Sequence, residues 1–398
     1  MTDTRVVLVN GARQCGKSTL VAEVGGARDA RWRSLDRALT RSAATDDPTD
    51  FVAGDGLMVI DEVQRVPELI LSIKEQVDFV DTRPGRYLLT GSARLLGLRK
   101  LPDTLPGRME TVELWPLSQG EIDGAPDGFI DAIFEQGPAL SHDSTENRSS
   151  YVERVVRGGF PAALARSTEA RRARFFDEYV ADLVNRDVIQ LYEIERGPEM
   201  RALIRLLAAR SGQLLVPGAL GNELELSRQT AARYVSLLEE VFLIKRIPAW
   251  SRNLKTRAVG TSKVCFVDSG IAARLVGADA DQLKDVEGPL GPLLEGFVLM
   301  ELARQLTWSE QTVELFHYRT KDKVEVDAVL ENRRGQVVAI EVKAASTVRG
   351  ADFRGIKHLA ERLGDDFIAG VVLHTGEQTL PFGPRLRAMP VSALWEVR

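Results

Sequence analysis

The sequence predicts an α/β protein whose first part is a doubly wound parallel sheet, and three apolar stretches predict it. Residues 6–9 run into a glycine-rich turn, residues 57–60 run into two carboxylates, and residues 87–89 run into hydroxyl side chains. Helical periodicity follows the first two stretches. Strands that alternate with helices favour a parallel sheet, and the carboxyl ends of such strands meet at the edge where ligands bind.

The turn after the first strand fits the phosphate-binding pattern G-x-x-x-x-G-K-[ST] without a mismatch. Gly11 and Gly16 allow the backbone to bend around a polyphosphate, so that several N–H groups face the anion. The helix that opens at Lys17 directs the positive end of its dipole at the same charge. We expect Lys17 to reach the β- and γ-phosphates and Ser18 to ligate Mg²⁺. The residues expected to bind the nucleotide are Gly11, Ala12, Arg13, Gln14, Cys15, Gly16, Lys17, Ser18 and Thr19.

Two carboxylates, Asp61 and Glu62, end the second apolar stretch. We expect Asp61 to hold Mg²⁺, directly or through water, and Glu62 to orient and deprotonate the attacking water. A capped helix start would explain the acidic pair by itself, but the phosphate loop upstream favours the catalytic interpretation. At the end of the third stretch, Thr90 or Ser92 would sense the γ-phosphate, and a strand-end cap is the alternative for each.

Arg108 lies just before the strand-like residues 109–114. Such an arginine would neutralise charge in the transition state, either in cis or from a neighbouring subunit of a homo-oligomer. A surface arginine, or an ion pair unrelated to phosphate, is the alternative.

Four segments, taken in order, resemble the prokaryotic AAA-type P-loop ATPases whose C-terminal half is a poorly characterised domain. They are VNGARQCGKSTL, LMVIDEVQRVPEL, YLLTGSA and LPGRMETVELWPLSQGEI. The resemblance implies an AAA-like core that uses ATP rather than another nucleotide. The sequence departs from the family in one respect, because five residues precede the first strand where relatives carry an extra N-terminal segment.

Length and composition bound the remaining possibilities. A chain of 398 residues exceeds one hydrophobic core, so we expect roughly two to four domains. A net charge of −5 disfavours a protein that coats nucleic acid, although local basic patches remain compatible with it. The two cysteines, Cys15 and Cys265, indicate neither a disulfide framework nor a metal cluster. With no signal-peptide pattern and no run near the ~18 apolar residues of a membrane span, we expect a cytoplasmic protein without membrane association.

The pattern along the chain predicts four domains. They are an ATPase core over 1–116, a helical lid over 117–195 that packs on this core, a winged-helix domain over 196–275 and a nuclease-like α/β domain over 276–398. The third contains three helical segments, then two strands joined by a basic loop, which is typical of a winged helix-turn-helix. If it binds DNA, the base- and phosphate-contacting residues would be Arg228, Gln229, Arg233, Lys255 and Arg257. A protein-docking module is the alternative.

The C-terminal part carries the PD-(D/E)XK nuclease pattern: Asp327 in one strand, then Glu341-Val-Lys343 in the next. Strand alternation places Glu341 and Lys343 on one face. Asp327 and Glu341 would share a divalent ion, Glu295 would add another oxygen, and Lys343 would position water or stabilise the developing charge. The domain resembles restriction-endonuclease-like folds, and a shared fold does not establish cutting.

Three functions follow from these patterns. The first is an Mg²⁺-dependent ATPase whose nucleotide cycle controls the C-terminal winged-helix and nuclease-like region. The second is a DNA nuclease gated by ATP. The third is a regulatory or antitoxin-like adaptor that binds DNA or a protein partner with little turnover.

Overall fold

The computed structural model describes residues 1–92, 105, 107–190, 197–285 and 288–398. The chain divides into two compact units. The first comprises Met1–Pro116 with Glu240–Phe242, and the second comprises Leu117–Glu239 with Leu243–Arg398.

The first unit is built on a parallel sheet, as the sequence predicts. Its strands are β1 (Val6–Gly11), β2 (Arg31–Ser34), β3 (Met58–Asp61), β4 (Tyr87–Gly91) and β5 (Met109–Leu114). Their order is β2-β3-β4-β1-β5, with every neighbouring pair parallel. Because β4 lies between β1 and β3, the phosphate loop, the hydroxyls after β4 and the acids after β3 end at one edge of the sheet.

Helices cover this sheet on both faces. They are α1 (Lys17–Gly26), α2 (Ala38–Asp46), α3 (Pro48–Val52) and α4 (Leu69–Glu75), with a 3₁₀ turn at Val63–Arg65 and a π-helical turn at Gln76–Val80. Alternating residues of β1 enter different apolar clusters, with Val6 and Leu8 in one and Val7 and Val9 in the other. This two-sided burial explains why β1 is a continuous apolar run rather than an alternating one.

The second unit begins with helices. They are α5 (Gln119–Asp123), α6 (Phe129–Gln136), α7 (Arg148–Arg157), α8 (Pro161–Leu164) and α9 (Glu169–Asp182), with a 3₁₀ turn at Gly137–Ala139 and a π-helix at Leu183–Gln190. Two hydrogen bonds connect this segment to later parts of the same unit: the Gly128 N–H donates to the Val397 carbonyl at 2.9 Å, and the Gln119 N–H donates to the Glu301 carboxylate at 2.9 Å. The packing of this segment on the first unit, expected for a lid, stays a prediction.

Three helices then precede an antiparallel pair of strands. The helices are α10 (Gly197–Ala209), α11 (Pro217–Glu223) and α12 (Arg228–Glu240), and the strands are β6 (Ile244–Ile247) and β7 (Lys263–Phe266). The prediction of a loop between the two strands is wrong in part, because this segment contains a helix, α13 (Leu254–Val259). The Asn253 side chain caps α13 by accepting hydrogen bonds from two backbone N–H groups, at 3.0 and 3.3 Å.

The C-terminal part is a mixed sheet with helices. The helices are α14 (Ser269–Leu275), α15 (Ala280–Lys284), α16 (Leu290–Gln305), α17 (Arg354–Leu363) and α18 (Ala393–Glu396), with 3₁₀ turns at Gly350–Phe353 and Gly364–Asp366. The strands are β8 (Val313–Arg319), β9 (Glu325–Asn332), β10 (Val337–Lys343), β11 (Phe367–His374), β12 (Leu380–Gly383) and β13 (Leu386–Pro390), in the order β12-β13-β11-β10-β9-β8. Strands β10, β11 and β13 are parallel to one another, and the remaining pairs are antiparallel.

Candidate functional site

The phosphate loop connects β1 to α1 in the conformation that its glycines require. Gly16 precedes α1 with φ of 109°, which is accessible to glycine and strained for other residues. A Cβ on Gly11 would collide with the backbone carbonyl of Leu114 on β5. The Lys17 side chain is buried, and its Nζ donates to the carbonyls of Gly11 and Ala12, at 3.1 and 2.7 Å. The only lysine of the loop is therefore directed into its concave side.

Asp61 at the end of β3 is the centre of a set of hydroxyl groups. Its Oδ1 accepts hydrogen bonds from Ser18 Oγ at 3.0 Å and from Thr90 Oγ1 at 2.7 Å, and its Oδ2 accepts from Ser34 Oγ at 3.3 Å. The two residues predicted to ligate Mg²⁺, Ser18 and Asp61, are thus in direct contact. Thr90, which is fully buried, also accepts a hydrogen bond from the Glu62 N–H at 2.9 Å.

The side chain of Glu62 has hydrogen-bond partners that differ from those of Asp61. The Glu62 backbone has φ of 60°, the left-handed region that costs energy for a non-glycine residue and is concentrated at functional sites. Its Oε2 accepts from Ser92 Oγ at 2.9 Å and from Gln64 Nε2, and Gln64 Nε2 also contacts Ser92 Oγ at 2.9 Å. Sequence reasoning missed Gln64, although its position two residues after Glu62 was a usable signal. The sequence left Thr90 and Ser92 open as phosphate sensors; Thr90 contacts both acids, and Ser92 contacts Glu62.

Other loop residues differ in exposure. Cys15 is buried and donates to the Leu114 carbonyl with an Sγ–O distance of 3.4 Å, and burial raises the pKa of its thiol. Gln14 and Thr19 are exposed, and Arg13 is half-buried. At the end of β1, the buried Oδ1 of Asn10 accepts no hydrogen bond. The predicted contacts of Arg13, Gln14, Cys15 and Thr19 with a nucleotide stay predictions.

Arg108 precedes β5 and is paired within the first unit. Its Nε donates to Asp78 Oδ1, and this hydrogen bond lowers the pKa of the Asp78 carboxyl. The side chain of Arg108 is 32% exposed. The structure thus contains the ion pair that the sequence offered as the alternative, while a role at the nucleotide, in cis or in trans, stays a prediction.

The predicted metal ligands of the C-terminal part meet around a lysine that sequence reasoning missed. Nζ of Lys263, on β7, lies 2.6 Å from Glu295 Oε1, 3.0 Å from Asp327 Oδ1 and 3.0 Å from Glu325 Oε1. The Lys263 side chain is 1% exposed. Burial opposes its charge, but the three carboxylates outweigh burial, and the pKa of Lys263 is raised. No local motif marks Lys263, because it is brought to these acids by strand packing alone.

The two motif residues on β10 pair with each other. Lys343 Nζ contacts Glu341 Oε1 at 2.8 Å, as expected for two side chains on one strand face. Burial and the nearby Asp327 raise the pKa of Glu341. Among the described residues, no group of three His, Cys, Asp or Glu side chains is placed to hold a metal ion. Metal binding by Glu295, Asp327 and Glu341, and catalysis by Asp327, Glu341 and Lys343, stay predictions.

The residues predicted to contact DNA fall into two groups. Arg228, Gln229 and Arg233 are exposed on α12, and Lys255 is exposed on α13. Arg257 is half-buried and has partners on the C-terminal sheet: its Nη1 lies 2.7 Å from Glu331, and its guanidinium lies over the Phe316 ring at 4.5 Å. Contact of these residues with DNA stays a prediction.

Comparisons with family models divide the chain in three. Residues 3–123 match a model described as an AAA domain. Residues 148–282 and 290–394 match models described as Domain of unknown function (DUF8612) and Domain of unknown function (DUF4143). The first match includes Lys17, Ser18, Asp61 and Glu62, and it supports an AAA-type P-loop domain, which suggests ATP binding. The likeness of the C-terminal part to PD-(D/E)XK nucleases stays a prediction.

Two relatives extend over nearly the whole chain. Uncharacterized proteins of Mycobacterium bovis and Mycobacterium tuberculosis are each 28% identical over 394 residues, which is 98% of this chain and 80% of theirs. A Haemophilus influenzae protein is 23% identical over 257 residues, 62% of this chain and 57% of its own. A solved structure of a Thermotoga maritima RuvB variant is 21% identical, over 61% of this chain and 82% of that one, with a TM-score of 0.29. A TM-score of that size does not establish a shared fold.

Within the part of the chain that the structure describes, every helix is too short or too polar to span a bilayer.

Proposed function

We propose that the first unit binds ATP with Mg²⁺ and hydrolyses the γ-phosphate bond. The observation that carries this proposal is the contact between Ser18 and Asp61, at 3.0 Å, beside an independently held Glu62. A hydroxyl and a carboxylate from two separate elements are the ligands that Mg²⁺ requires in a phosphate-loop site. The match of residues 3–123 to an AAA domain supports the same activity.

The loop residues fit the polyphosphate and its metal. Ser18 Oγ and Asp61 Oδ1 supply oxygen ligands, and Mg²⁺ held there would neutralise charge on the β- and γ-phosphates. The buried ammonium of Lys17, which now donates to two loop carbonyls, would transfer these hydrogen bonds to phosphate oxygens. The backbone N–H groups of the loop would complete the anion site at the N-terminus of α1.

Glu62 is the candidate general base, which would accept a proton from the attacking water. Its carboxylate is separated from Asp61 by its own hydrogen bonds to Ser92 and Gln64, so that the two adjacent acids serve different partners. We infer that Glu62 orients the attacking water and accepts its proton. Thr90 fixes both acids by donating to Asp61 and accepting from the Glu62 N–H.

The test is ATP turnover and ATP binding in wild type, Lys17→Ala and Glu62→Gln, with the exposed Glu68→Gln as the matched control. We expect Glu62→Gln to bind a fluorescent ATP analogue normally and to lose about 10²- to 10⁴-fold in kcat. Lys17→Ala should lose binding, and Glu68→Gln should resemble wild type. Wild-type turnover by Glu62→Gln would overturn the assignment, and tight binding without turnover in the wild type would favour the adaptor.

We further propose that the nucleotide bound to the first unit changes the solvent exposure of backbone amides in the second unit, since the two units belong to one chain. Hydrogen exchange of Glu62→Gln with and without Mg²⁺-ATP measures this directly. Protection changes confined to the first unit, residues 1–116 and 240–242, would refute the coupling and leave the ATPase assignment intact.

A second candidate function is DNA binding through α12. It is favoured by the exposure of Arg228, Gln229 and Arg233 on one helix that follows two others. Arg228→Ala should weaken binding of a fluorescent duplex and reduce its salt dependence, whereas Arg171→Ala, an exposed arginine on α9, should not. If Arg228→Ala and Arg171→Ala bind the duplex with the same affinity, a protein-docking role for α12 is favoured.

A further inference from the structure

We propose that three carboxylates, from Glu295 on α16 and from Glu325 and Asp327 on β9, bind an internal cation, the ammonium of Lys263, in the place of a divalent metal. Lys263, Glu295, Glu325 and Asp327 form what we call the Lys263 cluster. Its role is to fasten β7, and with it the β6–β7 hairpin, to α16 and β9. The inference is independent of ATP hydrolysis in the first unit.

The number of carboxylates in the Lys263 cluster matches the number of N–H donors on the ammonium. A lysine ammonium has three N–H donors and no acceptor. Nζ of Lys263 lies within 3.0 Å of three carboxylates, which come from α16 (Glu295) and from β9 (Glu325 and Asp327). With its side chain 1% exposed, Lys263 has almost no water as an alternative partner. A buried charge of this kind requires paired counter-charges, and the cluster provides them.

A divalent ion does not fit the same position. The Lys263 ammonium contacts Glu295 and Asp327, two of the three acids predicted to bind the ion, and would repel it. The second oxygen of Asp327 accepts a hydrogen bond from the Val342 N–H at 3.0 Å. Glu341 is paired with Lys343 at 2.8 Å. Each predicted metal ligand thus already contacts a donor of this chain, and the buried Oε2 of Glu341 has no hydrogen-bond partner among the described residues.

The segment between β6 and β7 is attached to the same sheet by separate contacts. The Trp250 N–H donates to the His317 carbonyl at 2.6 Å, and the His317 N–H donates to the Pro248 carbonyl at 3.0 Å. The His317 ring nitrogen Nε2 lies 2.9 Å from the Thr261 carbonyl. Both ends of the segment are therefore hydrogen-bonded to His317 on β8. These contacts, like the Lys263 cluster, hold the β6–β7 hairpin against the sheet.

Metal binding distinguishes the two occupants without relying on a destabilised variant. The experiment titrates Mn²⁺ into nucleotide-free full-length protein and follows free Mn²⁺ by electron paramagnetic resonance. Wild type, Asp327→Asn and Asp61→Asn are compared. We expect Asp327→Asn to remove no bound Mn²⁺. One Mn²⁺ that is lost in Asp327→Asn and kept in Asp61→Asn would overturn the proposal, whatever the rate of ATP turnover.

Unfolding tests the structural role. Lys263→Met leaves three carboxylates without a counter-ion, and the urea midpoint should fall by roughly 1 M. Lys255→Met, which removes an exposed lysine of α13, should leave the midpoint unchanged. Adding Glu295→Gln to Lys263→Met should recover part of the loss, because one uncompensated charge is removed. A wild-type midpoint in Lys263→Met, or a further loss in the double variant, would refute the cluster's role.

Discussion

The hydroxyl of Thr90 provides a sharp test of the candidate ATP site, because one atom holds both acids. Thr90 Oγ1 donates to Asp61 Oδ1 at 2.7 Å and accepts from the Glu62 N–H at 2.9 Å. Thr90→Val keeps the shape of the side chain and removes both hydrogen bonds. No cavity is formed, so the effect reports the hydroxyl alone.

The magnitude follows from the two contacts. A hydrogen bond to a charged acceptor contributes about 1.5–3 kcal/mol, and one from a backbone N–H contributes about 0.5–1.5 kcal/mol. Since Thr90 is fully buried, water cannot replace either one. We expect Thr90→Val to lower the free energy of unfolding by roughly 2–4 kcal/mol. If about half of this loss is expressed as misalignment of the acids in the transition state, kcat falls by roughly 10-fold.

Two assays measure these effects. Urea unfolding gives the free energy of unfolding and its dependence on urea concentration, which is compared between variants, and steady-state ATP hydrolysis gives kcat. Thr90→Ser restores the hydroxyl and should recover most of both effects. Thr111→Val, at an exposed threonine of β5, is the matched control and should behave as wild type. If Thr90→Val unfolds and hydrolyses ATP like wild type, the geometry does not hold the acids and the reasoning is wrong.

Three further substitutions test other parts of the molecule. Gly11→Ala places a Cβ against the Leu114 carbonyl, so the free energy of unfolding should fall by about 1–3 kcal/mol in a urea titration. Burial raises the pKa of Glu301 to about 7 from 4.5. The folded state therefore holds this proton more tightly, and urea unfolding at several pH values should show stability lost from about pH 4.5 to 7 in wild type and not in Glu301→Gln. Arg257→Ala leaves Glu331 unpaired and should lower stability by about 1.5–3 kcal/mol in the same urea assay.

Each of these substitutions has a defined contrary result. An unchanged urea midpoint in Gly11→Ala would mean that β1 and β5 separate freely at the loop. Parallel pH profiles for wild type and Glu301→Gln would exclude titration of that carboxyl. For Arg257→Ala, the exposed Lys255→Ala is the control, and equal stability of the two variants would show that the contacts of Arg257 with the C-terminal sheet contribute nothing to stability.

Local sequence determined the parallel sheet of the first unit and much of the candidate ATP site. Each predicted part lies where an apolar strand ends: the loop at the end of β1, Asp61 and Glu62 at the end of β3, and Thr90 with Ser92 at the end of β4. Chain connectivity alone places a residue next to the strand it follows. Parallel pairing then brings such strand ends to one edge, so contacts as distant as Ser18 to Asp61 follow from a local pattern.

The roles of the two hydroxyls required the tertiary structure. Thr90 and Ser92 lie two residues apart at the end of one strand, and the sequence allows either to face the nucleotide. Pairing of β4 with β3 places Thr90 against Asp61 and the Glu62 N–H, while Ser92 contacts the Glu62 side chain. Which of the two senses the γ-phosphate stays a prediction.

The sequence by itself determined that Asp327, Glu341 and Lys343 lie on neighbouring strands, and only the tertiary structure decided what surrounds them. Lys263 precedes Asp327 by 64 positions and belongs to another pair of strands, so no spacing rule relates them. Its place among three acids depends on how β7 packs on α16 and β9. In the same way, the place of Arg257 depends on how the segment between β6 and β7 packs on β8 and β9. Motif spacing records contacts made by adjacent strands and turns, whereas a buried charge finds its partners through long-range packing, which local patterns do not encode.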